Sequence, residues 1–192
     1  MDLGGFLGGV NTVDLLLFLY FIGFFVLGFA QGTIRRLIGI GSILFSFFLA
    51  SQLYEPLGSF LAANWTQFPK EYSYMIGYLT IFVAASVAFA IVAQGWYKPQ
   101  PLFHKARFVD ELLGGILGVV QAGLILGCLI VILSTFYLIP TIAPDPDEVG
   151  FLREFWKALE TSQIVDYFQV TLIPLFFSVA GFLIPDSIEA LY

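Results

Sequence analysis

Residues 112–139 read LLGGILGVVQAGLILGCLIVILSTFYLI, and not one of them is Lys, Arg, Asp or Glu. An apolar run of this length matches the roughly 30 Å hydrocarbon core of a bilayer at about 1.5 Å rise per residue. Three more stretches share the character, Val13 to Ala30, Leu37 to Leu53 and Met75 to Ala93, and Asp14 is their sole charge. In a water-soluble fold each would need cover on every side, and the chain has no polar faces to spare for that. The expectation is an all-α integral membrane protein, a four-transmembrane-helix bundle.

Composition points the same way. The chain is 59% hydrophobic and 11% charged, against roughly 25% charged in soluble domains. A net charge of −6 argues against nucleic acid, which needs a concentrated Lys/Arg surface. The single cysteine, Cys128, and the single histidine, His104, fall in different environments. No intramolecular disulfide, His/Cys metal cluster or nucleophile–base pair can be assembled from them. The reading is therefore no enzyme, no cofactor, no metal and no catalytic residues.

The spans are expected at 13–31, 35–54, 74–96 and 110–139, forming one unit over residues 1–140. Asn11-Thr12-Val13-Asp14 supplies an N-cap and a first-turn acid for span one, and no basic residue precedes it as in a signal peptide. The very short turn Gly32 to Arg36 is expected to join spans one and two as an antiparallel pair. Span two is expected to stop at Tyr54-Glu55-Pro56, with Pro56 to Tyr74 lying among headgroups. Pro140 and the turn at 144–147 close span four. Residues 141–192 are expected to hold an extracytoplasmic loop, an amphipathic interfacial helix over Glu148 to Thr161, and an apolar tail. That tail, 168–184, carries Pro174 in its middle. It reads either as a fifth span or, by a small margin, as a bent helix dipping into the bilayer or lying along its face.

Arg35, Arg36, Lys98, Lys105 and Arg107 flank loops one and three, while loop two has Lys70 alone. The positive-inside rule then places loops one and three in the cytoplasm and the N-terminus outside.

Small residues recur at helical intervals on three spans: Gly39, Ser42, Ser46 and Ala50; Gly77, Thr80, Ala84 and Ala88; Gly114, Gly118, Gln121 and Ala122. Such stripes let helix backbones approach within lipid, so they are expected to face protein. Gly28 and Gly32 have the same small-x-x-x-small spacing, and Asp14 shares their face if the first helix is continuous. Gln121 is an intramembrane amide, read as an interhelical hydrogen-bond partner ahead of a substrate contact. Asp14 and Asp110 read as helix-start acids favoured by the macrodipole. Val13-Asp-Leu-Leu-Leu and Val109-Asp-Glu-Leu-Leu match as Val-Asp-x-Leu-Leu. With spans one and four entering from opposite faces, this is what a faint inverted repeat looks like.

Three pieces in this order resemble the colicin V production (CvpA) family of bacterial inner-membrane proteins. They are the Asp14 opening, the turn GFAQGTIRR over 28–36, and DELLGGILGVVQAG over 110–123. Trp156 and Ser162-Gln163-Ile164 add a weaker match. The resemblance implies a role in colicin V production and toxin biosynthesis in some hosts, with transport entertained and no reaction assigned. It makes Asp14, Gly28, Gly32, Arg35, Asp110, Gly114, Gly118 and Gln121 the motif and helix-seam candidates. The family commonly has Arg-Gly at Gln31-Gly32 and at Gln121-Ala122, and Asp-Arg at Asp110-Glu111, so three of its arginines are absent here.

The leading functional expectation is a non-enzymatic inner-membrane protein that supports export or envelope homeostasis, handling an unknown small solute. Ser42, Ser46, Thr80, Ser86 and Gln121 form a sparse polar seam, which favours an uncharged or apolar cargo. The alternative is a structural or scaffolding protein that forms a homo-oligomer or docks a membrane protein partner. The bilayer is a partner in both.

Overall fold

The computed structural model describes residues 11–96, 106–137 and 150–180. The basic residues Lys98 and Lys105, His104, the turn at 140–148 and the tail beyond Ala180 lie outside these residues, as does the segment before Asn11. Among the described residues every regular element is a helix. In order they are α1 (Thr12–Gln31), α2 (Thr33–Asn64), α3 (Lys70–Trp96), α4 (Arg107–Tyr137), α5 (Gly150–Glu160), α6 (Gln163–Tyr167), a π turn (Phe168–Leu172) and α7 (Ile173–Ala180). The first four are long and apolar enough to cross a membrane.

α1 begins where the sequence signals it: the Asn11 side chain accepts the Val13 N–H at 2.9 Å. It ends at Gln31, because Gly32 takes φ 77°, a backbone conformation that L side chains rarely adopt. Gly32 is therefore a hinge between helices, and the expected helical face shared by Asp14, Gly28 and Gly32 ends at Gln31.

That hinge reverses the chain without pairing its two helices. α1 packs chiefly on α4, and α2 packs on α3. The antiparallel α1–α2 pair expected from the short turn is thus corrected. Packed helices sit about 8–10 Å apart, whereas one residue spans at most about 3.6 Å, so two helices joined by one residue must splay.

The partner that α1 does take is set by glycine. A Cβ on Gly28 would lie 2.1 Å from the Gly114 carbonyl oxygen, and one on Gly118 would lie 2.2 Å from that of Phe24. Contacts climb one helix as they descend the other, so the pair is antiparallel. The Tyr20 hydroxyl closes the next turn by donating to the Ala122 carbonyl at 3.1 Å.

α2 runs straight through Pro56 to Asn64, past the expected stop at Tyr54. A mid-helix proline removes one backbone bond at about 3 kcal/mol. Packing on α3 offsets it: a Cβ on Gly77 would sit 3.0 Å from the Gly58 nitrogen, and Tyr54 stacks on Tyr78 at 5.4 Å. Most of the stretch expected among headgroups, Pro56 to Tyr74, is consequently helical, with a turn only between Asn64 and Lys70.

On α3 the expected small-residue stripe is not the packed side. Gly77 is buried, but Thr80, Ala84 and Ala88 face outward, while Tyr72, Met75, Tyr78 and Phe82 are buried. The cause is complementarity. α2 offers its small residues Ser46 and Ala50, both fully buried, and large rings from α3 can fill the room beside them. Phe47 stacks on Tyr78 at 5.6 Å and meets Phe82 edge-on at 6.3 Å.

The core sits on the second half of α4, where Ile130, Val131, Ile132, Leu133 and Phe136 are all buried. α5 is the expected amphipathic helix, burying Trp156 and Leu159 and exposing Phe151. Trp156 stacks on Tyr137 at 5.8 Å. Beyond Ser162 the chain continues as α6, the π turn and α7, burying Phe168, Ile173 and Phe177 in the bundle; the π turn ends two residues before Pro174, and the end of the expected 168–184 stretch lies outside the described residues. Proline clashes with the carbonyl four residues back, here Val170, and the wider turn makes room for the ring.

Candidate functional site

Polar side chains gather at three levels along the α1–α4 seam. At the α1 start, the Asp14 carboxylate accepts the Ser162 hydroxyl and, at 3.3 Å each, the backbone N–H groups of Gln163 and Ile164. Ser162 caps α6 in its turn, accepting the Val165 N–H at 3.2 Å. Asn11 adds a second tie, donating to the backbone carbonyl and, at 3.0 Å, to the hydroxyl of Thr161. Asp14 is therefore more than a first-turn acid of its own helix. It also occupies the N-terminus of α6, where a negative charge is favoured.

At the opposite end, Asp110 opens α4 and is only 5% exposed. It is the helix-start acid the sequence suggests, and the structure also buries it. A Cβ on Gly32 would lie 2.6 Å from Asp110 Oδ2, so only glycine leaves space for the carboxylate. Gly32 is the N-cap of α2, a helix with no side-chain cap and no acid in its first turn. Asp110 supplies that acid from another helix. The Thr33 hydroxyl fixes the junction by donating to the Asp110 carbonyl at 2.9 Å.

Between these ends lies a buried cation. Arg36 is 5% exposed and donates through Nη1 to Gln121 Oε1 at 2.8 Å. Its guanidinium lies 5.8 Å from the centre of the Phe24 ring. Phe24 sits two turns, about 11 Å, inside the end of α1, so the arginine reaches toward the bilayer interior. Arginines near helix ends ordinarily snorkel outward. Its Nε finds no acceptor among the described residues, and no described carboxylate forms an ion pair with it. Gly39 accommodates the amide, since a Cβ there would lie 2.7 Å from Gln121 Nε2.

The seam candidates Gly28, Gly32, Asp110, Gly114, Gly118 and Gln121 thus come together along one interface, and Asp14 sits at its far end. Arg35 does not join them; it is half-exposed, and its neighbour Arg36 takes the buried place. The small-residue stripe pointed the other way: at 100° per residue Arg35 falls within the face of Gly39, Ser42, Ser46 and Ala50, and Arg36 falls beside it. The face the structure buries, Ile43, Ser46, Phe47 and Ala50, is rotated toward Arg36. Among the described residues no group of His, Cys, Asp or Glu is arranged to hold a metal.

Residues 13–174 match the family of the colicin V production protein. The chain belongs to that family. The matched range runs from α1 into α7, so the Asp14 latch, the Arg36–Gln121 pair and the Asp110 junction all lie within the colicin V production homology. No curated protein and no solved structure matches the chain. What stands on this footing is a multi-pass helical membrane protein of the colicin V production family.

Proposed function

We propose that this colicin V production family member is a non-enzymatic protein of the bacterial inner membrane, supporting export or envelope homeostasis by binding and moving a small solute. Its N-terminus and the α5 end of the bundle face outward, by the positive-inside rule. The observation that carries the reading is Arg36. A charged side chain held inside a membrane seam is costly, and such residues mark substrate or ion pathways by default. Scaffolding would need only the glycine contacts between α1 and α4; it gives no reason to hold a guanidinium two turns deep with one amide partner among the described residues.

The arginine also revises the cargo. The sparse Ser, Thr and Gln seam favoured an uncharged solute, whereas an inward cation with an unused Nε favours one carrying an acceptor oxygen. A complementation assay in a deletion strain tests this, with Arg36→Lys and Arg36→Gln compared at equal membrane levels. Both variants are expected to fail, because lysine restores the charge and not the planar donor fork. Full rescue by Arg36→Gln, together with no solute flux in proteoliposomes, would sink the proposal. In the same strain, cross-linking to a defined membrane protein that persists in the Arg36→Gln variant would favour the scaffolding alternative.

A further inference from the structure

Tail, α1, α2 and α4 enclose a cavity of about 590 Å³, within the range of small-molecule sites. It borders α4 from Val119 to Val131, around the middle of that helix and therefore around the bilayer midplane. Among the described residues every side chain in its wall is hydrocarbon apart from the Cys128 thiol. Gly123 and Gly127 form its floor. The Phe168 ring covers part of that floor, lying 3.6 Å from where a Cβ of Gly123 would be. Val120 and Leu175 in its wall are 46% and 60% exposed, so the cavity is open to the outside on their side, and this is taken as its mouth.

Three classes of occupant can be weighed by what they would bring. Water needs two to four polar partners, and the wall offers a thiol. A peptide segment would bring backbone N–H and C=O groups that hydrocarbon leaves unsatisfied, and as a helix it is about 10 Å across. A flexible alkyl chain brings nothing to satisfy. Headgroups lie about 15 Å from the midplane, so the methyl-terminal half of a chain is what reaches this mouth.

We propose that the cavity is a binding site for one acyl chain of a bilayer phospholipid, entering between Val120 and Leu175 and packing against Phe168 and Phe47. This goes beyond the solute reading, since Gln121 and Phe24, which meet Arg36, do not line the cavity.

The test uses the full-length protein in nanodiscs doped with a phosphatidylethanolamine whose acyl chain carries a diazirine near its end. After photolysis, adducts are mapped by peptide mass spectrometry. They are expected to concentrate on residues 119–131 and 168–176. Gly127→Leu, which fills the cavity, is expected to lower their yield about tenfold, equivalent to about 1.4 kcal/mol. If that variant fails to fold, Val120→Trp at the mouth gives the same readout. Adducts spread evenly over outward residues of α1 such as Phe18 and Leu19 would mean annular contact only and overturn the site. So would adducts on 119–131 that neither variant reduces, or protein–protein products from the same face.

Discussion

Asp14 holds Ser162 across a sequence interval that spans most of the chain, its carboxylate accepting the serine hydroxyl. At the other end of the α1–α4 pair the Asp110 carboxylate lies close against Gly32, the N-cap of α2. Each aspartate opens one paired helix and lies at the N-terminus of a second element. Asp14 of α1 lies at α6, and Asp110 of α4 lies at α2. The two aspartates of the Val-Asp-x-Leu-Leu correspondence thus stand at opposite ends of the seam, each beside the start of a second helix.

The Asp14 latch holds the tail, not the bundle. Replacing it by Ala removes a cap interaction of about 0.5–2 kcal/mol, while the glycine contacts of α1 and α4 remain. Hydrogen exchange of residues 163–180 should accelerate in Asp14→Ala, with α2 and α3 unchanged. Ser162→Ala should reproduce the effect, and the double variant should add little to either. Uniform acceleration through all helices would show that the latch is integral to the bundle.

Gly118 and Gly23 make a controlled pair. A methyl at Gly118 would meet the Phe24 carbonyl at 2.2 Å, and one at Gly23 would meet nothing within 4 Å. Both are mid-membrane helical glycines, so propensity is matched. Gly118→Ala should destabilise by about 1–3 kcal/mol, the usual range for overpacking. Gly23→Ala should be neutral or slightly stabilising. Thermal unfolding in detergent reads both. Equal midpoints would mean that α1 is not seated on α4 by backbone contact.

The Arg36–Gln121 bond predicts an asymmetric double-mutant cycle. Gln121→Leu leaves a buried guanidinium with no oxygen acceptor and should cost about 1.5–3 kcal/mol, the range for hydrogen bonds to charged groups. Removing both polar groups, as Arg36→Met with Gln121→Leu, should recover much of that stability while failing in the complementation assay. Stability and function would then part company. Additive losses would show that the two side chains do not interact in the folded protein.

Much of this fold was legible because its determinants are local. Long apolar runs gave the four helices, and alternating charge and aromatic residues gave α5. Pairing was less legible, since it depends on which surfaces fit. The Gly32 turn suggested α1 against α2, yet a one-residue link forbids close packing and the glycines of α4 captured α1. The small stripe of α3 misled for a related reason: one small face per interface suffices, and α2 provides it. Pro56 looked like a stop because the compensating contacts of Gly58 and Tyr54 lie on another helix. Arg36 was counted as a loop charge, and the small-residue stripe of α2 favoured Arg35, because the buried face includes Ile43 and Phe47 as well as the small residues.

Pro174 supplies the last prediction. The π turn at 168–172 carries an extra residue, which sets the angular position of everything after it. Phe176 thereby meets Phe47, their rings 6.3 Å apart. With Pro174→Ala the clash at the Val170 carbonyl is gone, and the turn can close to α geometry, rotating the rest of the tail by about 100°. A short bifunctional thiol cross-linker should join Phe47→Cys to Phe176→Cys in a Cys128→Ser background. Adding Pro174→Ala should abolish that product and leave the α1–α4 contacts intact. Undiminished cross-linking would mean that contacts of Phe168 and Phe176 on the bundle, rather than the proline, hold the π turn open.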